Sequence, residues 1–145
     1  MINVNFKKGD RYYGIDAPPE FWRDLKERPD IIKACCNGVG SEVGFWGKLT
    51  YHLIPNGIWF LDITEASDPH DWMYNYPAKF RSREEALQWK AYADELILDN
   101  ILVIIKRDSA NAFMRCLRER RAISYYTAVT EAGEESFLDG KTFDE

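Results

Sequence analysis

His70-Asp71-Trp72-Met73-Tyr74 places three polar side chains within one helical turn. An imidazole, an adjacent carboxylate and a phenol one helical turn later can divide three jobs. The His can move protons, because imidazole titrates near neutral pH. The Asp can hold a cation, and the Tyr can tie the helix to a neighbour. Each residue also has a plainer reading. His70 fits a core histidine with one hydrogen bond. Asp71 fits a first-turn carboxylate favoured by the helix dipole, and Tyr74 fits aromatic packing.

Outward from this stretch the chain reads as mainly α. Asp62 to Tyr76 is expected to be largely helical, with Pro69 immediately before His70. A proline inside a helix costs about 3 kcal/mol, so two solutions are open. The helix kinks at Pro69, or it starts afresh with Asp68 as N-cap and Pro69 in the first position. Ser82-Arg83-Glu84-Glu85 has the capping-box spacing, and its helix should run to about Ile105. Along it Leu87, Ala91, Asp94, Ile97, Leu98 and Ile101 recur at three- and four-residue steps. Asp94 therefore sits on an apolar face, where an unpaired carboxylate is costly, so a partner is expected. Asp99 lies off that stripe. A third helix, capped by Asp108 or Ser109, carries Phe113, Cys116, Leu117, Ser124, Tyr125 and Ala128 to a C-cap at Gly133.

Ahead of these helices, residues 1–17 read as an irregular arm and Pro18-Pro19 opens a short helix. Residues 37–57 are a glycine-rich loop beginning Cys36-Asn37-Gly38-Val39-Gly40. A loop of that length in a small domain is functional or hides a missed element. Residues 138–145 read as a frayed tail. At 145 residues the whole is expected to be one domain.

In chain order, the glycine loop, Ile54-Pro55-Asn56, Asp62-Ile63-Thr64-Glu65-Ala66, the HDxxY turn and Ala93-Asp94 resemble the phospholipase A2 superfamily. The likeness covers roughly residues 34–130. It is closest to disulfide-poor viral capsid phospholipase domains and to short phage- and prophage-type proteins. The resemblance implies a core of two long antiparallel helices carrying the HDxxY and AD motifs, with a third C-terminal helix and the glycine-rich loop. It further implies hydrolysis of a phospholipid or other lipid ester by a His70–Asp94 dyad, with Tyr74 and Tyr76 supporting Asp94. Calcium would be held by Asp71 and by the backbone carbonyls of Cys36, Gly38 and Gly40. In secreted phospholipases that loop lies close before the helix, whereas here Glu42 to Leu61 intervene. The alternative is a non-catalytic, phage-type accessory or interaction protein on the same scaffold.

A net charge of −5 argues against a nucleic-acid partner, whose affinity would come from neutralising phosphates. Three cysteines, two of them adjacent, make no disulfide framework and no zinc spacing. A reducing compartment follows, and with no signal-peptide pattern the expected location is cytoplasmic. No stretch is long and apolar enough to cross a bilayer. Phe21, Trp22, Phe45, Trp46, Trp59 and Phe60 suit an acyl-chain slot or the core. His52 and Cys36 carry no specific argument as metal ligand or nucleophile.

Overall fold

A computed structural model of the chain describes residues 6–36, 58 and 61–144. Two short helices come first, α1 (Pro19–Glu27) and α2 (Pro29–Cys35), each with a proline in its first turn. Then follow α3 (Thr64–Asn75), β1 (Lys79–Phe80), α4 (Arg83–Asp108), α5 (Ala112–Ala132), α6 (Glu134–Leu138) and β2 (Thr142–Phe143). The fold of the described residues is mainly α.

Pro69 neither breaks α3 nor restarts it. The helix begins at Thr64, where the Asp62 carboxylate accepts from the Thr64 N–H at 2.9 Å and from its hydroxyl at 2.6 Å. It runs on through the proline to Asn75. Ala66 to Met73 are all buried, so packing on every side offsets the lost backbone bond. Asp68 is not an N-cap. Its carboxylate accepts instead from the Tyr12 hydroxyl at 2.7 Å.

Ser82 caps α4 as its spacing predicts, accepting from the Glu85 N–H at 3.1 Å. Glu85 reaches past it to the Arg81 N–H, 2.8 Å away. The helix is three residues longer than expected, ending in Lys106-Arg107-Asp108, where two cations meet the negative end of the dipole. Helix α5 starts later than expected. Asn111, not Asp108 or Ser109, is its N-cap and accepts from the Met114 N–H at 2.9 Å. Of the apolar stripe read for it only Tyr125 is buried, joined by Ala122 and Val129, while Phe113 is 70% exposed.

Contacts between named residues give the helix directions. Glu65 meets Arg107, His70 meets Asp94, and Met73 meets Trp89, so α3 and α4 run antiparallel. Lys90 meets Thr130 and Ser109 meets Arg118, so α4 and α5 do the same. Ile97, Ile101, Ile104 and Ile105 of α4 fill the main core with Ile63, Ala66, Ala122, Tyr125 and Val129. A second cluster joins Phe21 and Ile32 to Trp72, Met73, Ala93 and Leu96.

The arm is irregular but tied down. Asn100, buried on α4, accepts from the Asp16 N–H and donates to the Asp16 carbonyl, both at 2.8 Å. Gly14 has φ +80°, and a Cβ there would stand 3.0 Å from Val103. The chain does not fray from residue 138. Phe137 is fully buried against Phe80 and Ala86, and β2 pairs with β1 in parallel, Thr142 opposite Lys79 and Phe143 opposite Phe80.

Candidate functional site: a buried carboxylate shared by three donors

The expected partner of Asp94 is His70. The two side chains are inaccessible to solvent, and Nε2 of His70 lies 2.8 Å from Oδ1 of Asp94. The same oxygen accepts from the Tyr74 hydroxyl at 2.7 Å, and the Tyr74 ring stacks on the imidazole with centroids 4.1 Å apart. His70 and Tyr74 are four residues apart on α3, so they present one face to α4.

A third donor was not foreseen. Lys90 places its ammonium 2.6 Å from Oδ2 of Asp94 and only 5% of the residue is exposed. The buried seam of α4 runs Ala86, Lys90, Asp94, Ile97 and Ile101, whereas Ala91 of the expected stripe is exposed. The signal was present in the sequence: Lys90 stands four residues before Asp94, the spacing of a helical ion pair.

The electrostatics follow from this crowding. Burial pushes the Asp94 carboxyl upward, but the hydrogen bonds from His70, Lys90 and Tyr74 outweigh it and hold the group below the usual range. Burial lowers His70, and the Lys90 charge adds to that, against the pull of Asp94. A carboxylate only accepts hydrogen bonds, so His70 Nε2 carries a proton, and the lowered basicity favours the neutral ring. Tyr74 is pushed up by burial and then by Asp94 and Asp71.

Gly133 makes room for this arrangement. A Cβ there would stand 2.5 Å from the Val129 carbonyl, 2.8 Å from the Tyr74 hydroxyl and 3.3 Å from Cε of Lys90. The residue ends α5, as its type suggests, but with φ −87°. Close approach, not left-handed geometry, is what favours glycine.

Tyr76 does not belong to the site. Two residues beyond Tyr74, it lies round the helix end, 39% exposed, with its ring 5.8 Å from that of Trp72. Phe21 is in the core and Trp22 packs on Phe6 and Tyr12, so neither forms a slot; Phe45, Trp46, Trp59 and Phe60 lie outside the described residues. A groove of about 680 Å³ that the sequence did not disclose opens between α1, α3 and α4, with Trp72, Tyr76, Trp89 and Tyr92 in its lining. At its edge Asp24 accepts from the Trp72 indole at 3.0 Å and from Arg28 at 2.7 Å. The Trp72–Asp24 contact joins distant segments, which no local pattern announces, whereas Arg28 and Asp24 are four residues apart.

Asp71 is buried rather than a solvated first-turn residue, and its charge reaches Tyr74 and Tyr125, both also raised by burial. Calcium wants six to eight oxygens. Among the described residues no three His, Cys, Asp or Glu side chains group around a metal position, and Asp71 is a single carboxylate. Gly38 and Gly40, whose carbonyls would join that of Cys36 in the loop, lie outside the described residues. The described residues alone do not fit a calcium ion.

No known protein family, curated protein or solved structure matches the chain. No described helix is long and apolar enough to cross a membrane.

Proposed function

We propose that this chain is a phospholipase A2-like ester hydrolase in which His70 is the general base and Asp94 orients it. One observation carries the reading: His70 Nε2 stands 2.8 Å from Asp94 across two antiparallel helices, with Tyr74 on the same oxygen. With its proton on Nε2, the ring's base is Nδ1, which is closed off from solvent in this structure, so catalysis requires the site to open to water. The depressed basicity of a buried imidazole keeps that acceptor uncharged at neutral pH. The substrate class, a phospholipid ester, comes from the order of motifs between Cys36 and Asp94. Calcium enters as a requirement to be measured, and no step is assigned to it.

A second reading, a non-catalytic accessory or interaction protein on the same scaffold, is favoured by Lys90. Its ammonium already balances Asp94, so the network is complete without an imidazolium. Fatty-acid release from vesicles of mixed zwitterionic and anionic phospholipids, with and without millimolar calcium, separates the two. The hydrolase reading predicts release that falls at least about a hundredfold in His70→Gln, the lower end of what a positioned general base contributes. No release by a folded wild-type chain in either condition favours the scaffold.

A further inference from the structure

Cys35 ends α2 and Cys36 caps it, and their sulfurs lie 3.8 Å apart, both half-buried. The third cysteine, Cys116, is exposed on α5. Cys36 also lines a cavity of about 630 Å³ with Arg11, Tyr12, Lys33 and Asp68, which gives a small molecule a route to Cys36, beside Cys35. Nothing in the proposed hydrolysis uses either thiol.

We propose that Cys35 and Cys36 are a modification site: a vicinal dithiol that a low-molecular-weight disulfide oxidises reversibly to a Cys35–Cys36 disulfide. Geometry divides the roles. Cys36 can donate its S–H to the Cys35 sulfur or to the Asp68 carbonyl, 3.3 Å away. A hydrogen bond from Cys36 lowers the Cys35 thiol below its ordinary range, and the same contact with burial raises Cys36. Cys35 is the attacking thiolate in this scheme, an assignment that the two serine variants test. Its sulfur bonds to one sulfur of the oxidant, whose S–S bond breaks and releases one thiolate. The Cys36 sulfur then attacks Cys35, expels the second thiolate and closes the internal S–S bond. The two thiol protons end on the two released thiols, and the oxidant gains the two electrons.

Reversibility follows from the covalent geometry. Neighbouring Cα atoms are about 3.8 Å apart across a trans peptide. Disulfides ordinarily span about 4.4–6.8 Å between Cα atoms, so a ring closed between adjacent residues is strained and readily reduced.

The test uses the full chain carrying Cys116→Ser, treated with oxidised glutathione and read by intact mass and by iodoacetamide labelling. The expected product is two hydrogens lighter, carries no glutathione and loses both labelling sites, which dithiothreitol restores. Cys36→Ser in the same background should stop at one glutathione adduct on Cys35. Cys35→Ser should react about tenfold more slowly, as a thiol without a lowered pKa does. Unchanged labelling, a stable glutathione adduct on the two-cysteine chain, or a disulfide between two chains would each overturn the proposal. If a serine variant fails to fold, the mass and labelling of the Cys116→Ser chain decide alone.

Discussion

Replacing Asp94 with leucine strands an ammonium, and that sets the size of the effect. Lys90 is 5% exposed and Asp94 1%, with 2.6 Å between their charged atoms. Breaking a buried pair from one side costs about 3–5 kcal/mol, because the remaining charge is left uncompensated. Lys90→Met is milder, at about 1.5–3 kcal/mol, since Asp94 keeps His70 and Tyr74. The double variant Lys90→Met/Asp94→Leu removes both charges and leaves two neutral donors short of an acceptor, a cost of about 2–4 kcal/mol. The single effects should therefore exceed the double by about 3 kcal/mol, the upper end of couplings between contacting residues. Urea denaturation of the four proteins measures this, and at a slope of about 2 kcal/mol/M the double should unfold about 0.5 M later than Asp94→Leu. Additivity within about 0.5 kcal/mol would refute the buried ion pair.

Acidification should destabilise the protein in two steps. His70 is depressed in the fold, so the unfolded chain binds the extra proton first and stability falls as pH drops below about 6.5. Asp94 is also depressed, so its contribution is present above about pH 3.9 and is lost as pH falls through its folded value. His70→Gln should flatten the first step in denaturation midpoints between pH 7 and 5. Gly133→Ala should cost about 1–3 kcal/mol by overpacking, and it should weaken the Tyr74–Asp94 bond, read from the Tyr74 hydroxyl proton by NMR. Asn100→Ala removes both bonds to Asp16, costing about 1–3 kcal/mol, and should speed proteolysis of the arm at residues 6–17. Calcium at millimolar concentration should raise the melting temperature if Asp71 and the glycine loop bind it, and Asp71→Asn should remove the shift.

What the sequence disclosed and what it hid divide along physical lines. The Ser82 cap and the partner of Asp94 were legible because each rests on local spacing or on the cost of a buried charge. Lys90 was missed because an apolar stripe drawn through Ala91 fits the periodicity almost as well, and only packing against α5 chooses between neighbouring positions. Pro69 was read as a kink or a start because local propensity disfavours it, while burial on all sides of α3 overrides that preference. The tail looked frayed because two-residue strands carry no pattern of their own. They form here because Phe137 and Phe80 pack together. The mainly α class was legible from helical periodicity, whereas the phospholipase-type core and lipid hydrolysis rest on resemblance and are proposed on that ground.

The most direct test of the dyad is the protonation of His70 by ¹⁵N NMR of imidazole-labelled protein from pH 5 to 8, with His70→Gln assigning the signal. The account predicts a neutral ring with its proton on Nε2 across pH 6.5–8, and a titration midpoint below the ordinary value of about 6.5. A proton on Nδ1, or a ring that titrates at or above about 6.5, would contradict it.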